Sequence, residues 1–199
     1  MMLTEQTSVQ GSALPVQALK DHLRLGSGFT DDGMQDSLIE TYLRAAMAAI
    51  EGRIGKILLA RRFMLKLADW RTGGEQTLPV APVSAVVSVT LRDAAGGASV
   101  VSADRYRLIQ DMHRPKLVAA GVLLPLVPTD GVVEVVFDAG FGAVWATVPA
   151  DLGQAVLLLA AEFYEQRHDS ALRASGLPFT VQALIERWRT VRVLGGGGS

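Results

Sequence analysis

The stretch FDAGFGAVWATVPADLGQAV, residues 137–156, decides how this chain is put together. A β-branched run ending at Phe137 feeds two glycines, Gly140 and Gly142, and an apolar helical pattern begins near Pro149. Two readings compete: a glycine loop that cradles a phosphate, or a corner where a strand gives way to a helix. A dinucleotide loop needs G-x-G-x-x-G, with the helix starting inside the motif. Here Ala143, Val144 and Trp145 come after Gly142, so the third glycine is missing and the helix waits for Pro149. No Gly-Lys-Ser/Thr sequence offers a phosphate loop of the other kind. The expectation is a bulged strand end whose glycines turn the backbone, with Trp145 packed over the corner.

Downstream of the corner the pattern is helical. Pro149 and Asp151 suit a first turn, which tolerates proline and favours an acid. Leu152, Ala155, Val156, Leu159, Ala160 and Phe163 then form a wide apolar face, predicting a central buried helix that runs to about His168. SALRASG links it to a last helix, FTVQALIERWRTV, opened by Leu177-Pro178 and striped by Val181, Leu184, Ile185 and Trp188. Arg187, Arg189 and Arg192 crowd its far end, which suits the helix dipole.

Upstream of the corner the period is that of strands. FMLKLADW (63–70) reads as a strand, and Gly73-Gly74 as a turn. APVSAVVSVTLRD (81–93) alternates, with Val83, Ala85, Val87, Val89 and Leu91 on one face. Short strands are expected at 99–101, 106–109, 116–118 and 132–137. Before all this lie two helical patterns. PVQALKDHLRL carries Val16, Leu19 and Leu23 at helical spacing. A longer helix spans about 34–54, with Met34, Leu38, Tyr42, Ala45, Ala49 and Ile50 as its expected stripe. The chain thus reads as α+β. A helical body of about four helices (13–56 and 141–194) flanks an antiparallel β-rich lobe inserted at 57–140. Residues 1–12 are expected to be a flexible arm. GGGGS at 195–199 is a flexible tail by composition, native or foreign.

Composition narrows the function classes. Of 199 residues, 49% are hydrophobic and 20% charged, enough to bury a sizeable core rather than stay disordered. A formal net charge of −1 argues against a general polyanion binder. There is no cysteine, which removes disulfides, thiolate zinc sites and thiol catalysis, and suits a reducing compartment. The most apolar run, Ala155 to Ala161, is far shorter than the roughly 20 residues a bilayer span needs, so no membrane role is expected. The first residues lack the basic and apolar blocks of a secretion signal.

Candidate chemistry is sparse. His22, His113 and His168 lie in different elements and form no ligand spacing. Asp31 and Asp32 suit helix capping better than a metal corner. Ser27 sits in LGSGF, the wrong spacing for a nucleophile elbow. Tyr164, Glu165 and Arg167 read as a satisfied helix end. No nucleophile stands beside a base in the pattern. The last helix differs, because Trp188 among arginines is the composition of an interface anchor. The competing readings are packing of Trp188 on the chain's own core and contact of Arg187, Arg189 and Arg192 with DNA.

The order of these segments carries a resemblance. KDHLRL precedes a helix ending AAIEGRIGK, a strand ending at Trp70, then LPVAPVSAVVSV, DRYRLI, VVFDAGFG and VPADLGQAVLLLAAEFYEQR. This set, over about residues 13–192, resembles the head–tail connector (adaptor) proteins of long-tailed phages, in the version with a β-rich insertion. Similar proteins occur in phage-derived gene transfer agents. The resemblance implies a structural protein without catalytic activity or cofactor, assembled in the bacterial cytoplasm into a particle. It implies self-association into a ring below the portal protein, a dodecamer matched to that portal. The ring extends the DNA channel, passes DNA without specific binding and carries the next neck protein, the stopper. The resemblance also implies that the C-terminal segment docks on the portal, here Leu177–Val193, with Leu184, Trp188, Arg189 and Arg192 as candidate contacts. The alternative function is a DNA-binding packaging or regulatory module that uses the C-terminal arginines. Deleting residues 177–199 is expected to leave a folded protein that cannot join the particle.

Overall fold

Side-chain period separates two cores along this chain. The computed structural model describes residues 1–24, 34–166 and 176–189. Four helices occur among them: α1 (Val16–His22), α2 (Met34–Ile54), α3 (Ala150–Glu165) and α4 (Phe179–Ile185). Eight strands accompany them: β1 (Met2–Glu5), β2 (Arg61–Leu67), β3 (Glu75–Thr77), β4 (Val83–Arg92), β5 (Ala98–Val100), β6 (Tyr106–Ile109), β7 (Lys116–Ala119) and β8 (Val132–Ala139). The fold is α+β, and every pairing between these strands is antiparallel.

The helical core forms where α2 and α3 pack together with α1 and α4 beside them. Leu19, Ile39, Leu43, Ile50, Leu152, Val156, Leu159, Val181 and Ile185 are all buried in it. Tyr42 and Tyr164 close one side edge to face, with ring centroids 5.9 Å apart. On α2 the buried stripe is Ile39, Leu43, Ala46, Met47, Ile50 and Ile54. It is displaced around the helix from the expected one, for Leu38 is 41% exposed. Alanines and methionines lie on several sides of α2, so its own sequence marks no sharp face. The larger aliphatics facing α3 decide it.

The second core lies between two sheets, ordered β1-β2-β8-β4-β5 and β3-β7-β6. Phe63, Leu65, Val89, Leu117, Val133, Val135 and Phe137 fill it. Central β8 alternates without fault, with Val133, Val135, Phe137 and Ala139 all fully buried. β4 does not alternate as expected. Its register against β8 shifts between Val83 and Ala85, and again between Val86 and Ser88. Each bulge inserts a residue and turns the positions beyond it to the opposite face. Between the bulges Val86 therefore turns to the core and Val87 is left 44% exposed; beyond the second bulge the expected face returns with Val89 and Leu91.

The expected flexible arm is corrected by the pairing of β1 along the edge of β2, Met2 opposite Lys66 and Glu5 opposite Phe63. Gln6 N–H donates to the Arg62 carbonyl at 2.8 Å, and Thr7 Oγ1 accepts from Arg62 N–H at 2.8 Å. Val9 is buried against the helices, and its carbonyl accepts from Arg44 at 3.0 Å. β3 is a second element that the sequence reading does not anticipate, held to β7 with Gln76 opposite Leu117.

Arg61 ties the cores together. Its guanidinium bonds Glu51 of α2 at 2.5 Å and Glu5 of β1 at 3.3 Å. The Glu51 carboxylate also accepts the Leu58 N–H at 2.8 Å. Burial pushes the Glu51 carboxyl above the ordinary carboxylate range, against the lowering pull of Arg61 and the Leu58 N–H. Two residues beyond α2, Lys56 is fully buried and its Nζ has no hydrogen-bond partner.

The corner at 137–156 is structural. Gly140 has φ +132°, and a Cβ there would lie 2.5 Å from the Cα of Ala60, so only glycine fits. Its N–H donates to the Pro82 carbonyl at 2.9 Å, and Ala60 N–H donates to the Gly142 carbonyl at 2.8 Å. A single 3₁₀ turn at Trp145–Thr147 then leads into α3. Trp145 is partly buried against the helical core, beside Gly153 of α3.

Candidate docking surface on the last helix

α4 begins after Pro178 and lasts only seven residues before a 3₁₀ turn at Glu186–Trp188. Val181 and Ile185 are fully buried or nearly so, which fixes one face inward. Leu184 and Trp188, two of the four candidate contacts, are partly buried against the same helical core. Arg189 is exposed and pairs with Glu186 at 3.0 Å. Arg192 lies outside the described residues, as do Ser27, Asp31, Asp32, Arg167 and His168.

The end of this segment is fastened to the corner described above. Trp188 Nε1 donates to Asp151 Oδ2 at 2.7 Å. Arg187 Nε bonds the same oxygen at 2.7 Å, and its guanidinium lies 4.9 Å from the Trp188 ring centroid. Phe141 meets the indole edge to face at 5.5 Å. Burial raises the Asp151 carboxyl. The bonds from Trp188, Arg187 and the Leu152 N–H outweigh it, and the carboxyl stays below its ordinary value. Asp151 reads in sequence only as an acid in a first helical turn. Its indole partner lies 37 positions away, and no local signal links the two.

Trp188 therefore packs on its own chain, with its one donor already used. The surface left open here includes Arg189, the outer face of Arg187, whose side chain is 70% exposed, and Phe179, 84% exposed. Arg187 and Arg189 are each matched by a carboxylate. His22 and His113 are both exposed, the first at the end of α1 and the second in the connection between β6 and β7. Among the described residues no group of three or more His, Asp or Glu is placed to hold a metal ion. No helix among them is long and apolar enough to cross a membrane.

No family model matches the chain, and no curated protein does. Solved structures do match over its whole length. The chain is 58% identical to a chain in the neck of an empty gene transfer agent particle computed with C6 symmetry, covering 98% of this chain and 99% of that one, with a TM-score of 0.89. It is 57% identical to a chain in the virion of a native particle, with the same coverage and a TM-score of 0.86. A third match, in the neck of a native particle computed with C12 symmetry, is 54% identical over the same shares, with a TM-score of 0.85. The fold is that of a structural component of such a particle, placed at the interface of head and tail. The chain belongs to the neck proteins of gene transfer agents.

Proposed function

We propose that this chain is the adaptor of the neck, a non-enzymatic protein whose copies close into a ring of twelve against the portal. The ring extends the DNA channel and gives the next neck protein, the stopper, a platform. The observation that carries this reading is the full-length likeness to chains in necks of C6 and C12 symmetry. Near-neutral charge supports it, since closely spaced free cations would grip DNA with a salt-dependent affinity and slow its passage. Ion-paired Arg187 and Arg189 support it for the same reason.

Portal contact falls to the exposed Arg189 and, by its place in the sequence, to Arg192, with Leu184 and Trp188 positioning the described end of the segment from beneath. The test is co-sedimentation with purified portal rings. Arg189→Glu combined with Arg192→Glu is expected to reduce binding at least tenfold with no change in melting temperature. Wild-type binding by that variant would move the portal contact elsewhere. A salt-dependent shift of duplex DNA by the intact chain would favour the DNA-binding alternative.

A further inference from the structure

The β lobe ends in an apolar knob and an apolar hole, both far from the helices. Strand register places them: Arg61 faces Ala139 at the corner, while Leu67 faces Val133 at the other end of β8. That end lies about 20–25 Å from the corner at roughly 3.3 Å per residue. The knob is the segment between β7 and β8. Leu117 to Pro128 contains no charged residue, and Val122, Leu123 and Leu126 are 89%, 62% and 88% exposed. It is held rigidly: Leu124 and Val127 are buried, Leu124 N–H donates to the Gly73 carbonyl at 2.7 Å, and Trp70 Nε1 donates to the Pro125 carbonyl at 2.7 Å.

The hole is a cleft of about 400 Å³ lined by Met1, Leu67, Ala68, Leu78 and Pro79. Gln76 also reaches it, but its amide is already used by the Arg71 N–H and the Thr77 carbonyl. Thr77 and the exposed Asp69 and Arg71 line it as well, but its buried aliphatics, Leu67 and Leu78, suit an apolar occupant. Residues 69–71 separate the two features, with Asp69 and Arg71 on the cleft and Trp70 bonded to the knob.

We propose that the knob of one copy, led by Leu126, seats in the Leu67–Pro79 cleft of the next copy around the ring. This rests on the ring reading above. A closed ring of equal copies joins two different patches of one chain, and an apolar projection with an apolar recess is such a pair. The C6 and C12 symmetry of the related necks places equal copies around an axis. A knob already fixed by its tethers gives up little conformational freedom on seating.

The chain has no cysteine, so introduced thiols report on one contact. Leu126→Cys with Ala68→Cys, assembled into particles and treated with a short bismaleimide, is expected to give a ladder of cross-linked copies. Neither single variant should. Leu126→Asp is expected to keep the wild-type melting temperature, because the side chain is exposed, and to lose at least tenfold in neck incorporation. Normal incorporation of Leu126→Asp would overturn the proposal while leaving the ring intact. So would cross-linking of the Leu126→Cys thiol to a different neck protein. Absence of the unmodified chain from necks would overturn the ring reading itself.

Discussion

Lys56 shows what a single side chain can cost a fold. Its Nζ is sealed from solvent without a hydrogen-bond partner. Burial pushes the ammonium below the ordinary lysine value, against the field of Asp111. Asp111 is engaged elsewhere, because its carboxylate accepts the His113 and Arg114 N–H groups at 2.7 and 2.6 Å. A lysine whose folded pKa is depressed binds fewer protons folded than unfolded between that value and about 10.4. Stability therefore rises with pH across that window, and the penalty is complete below it. Lys56→Met is expected to stabilise the protein by about 1–3 kcal/mol at neutral pH. The gain should shrink as pH climbs toward about 10. Urea melts of both proteins at two pH values check this. An equal gain at both would show that the ammonium is not the cause.

At the scale of elements, the last helix is part of the body. Val181 and Ile185 fill the helical core, and a buried aliphatic is worth roughly 1.5–3 kcal/mol against a total of about 5–15. Deleting residues 177–199 is therefore expected to melt or strongly destabilise the helical core, contrary to the reading from sequence alone. Ile185→Ala should cost about 2–5 kcal/mol by thermal or urea unfolding. Much of the fold is legible in the sequence. α2 runs from Met34 to Ile54 and β6 from Tyr106 to Ile109, as their periods predict, and the glycine corner turns as expected. β1 and β3 escape because MLTE and EQT carry no apolar alternation, and their existence depends on a distant partner strand. On β4 the expected face holds at Val83, Val89 and Leu91 and fails at Ala85 and Val87, because the two bulges that flank this stretch leave no mark in composition. Trp188 stands out as a residue, and its packing on the chain's own core is one of the two readings the sequence leaves open; the acid that holds it comes from another helix and is not legible.

For the whole molecule, the division into two cores has a measurable consequence. Leu43 and Val156 report on one core, Leu65 and Val135 on the other. Native-state hydrogen exchange with rising denaturant should resolve two sets of amides with different opening free energies. A single common dependence would mean that the Arg61 bridge and the glycine corner fuse the halves into one cooperative unit.

The pairing of β2 with β8 reaches further than stability. The chain leaves the helices at Arg61 and returns at Ala139, and these two residues face each other across the paired strands. Departure and return therefore share one doorway. Segments whose ends lie this close are those that evolution exchanges, lengthens or removes with least disturbance to the host. Chains that share the helical scaffold are then free to vary what hangs from that doorway while the scaffold itself stays unchanged.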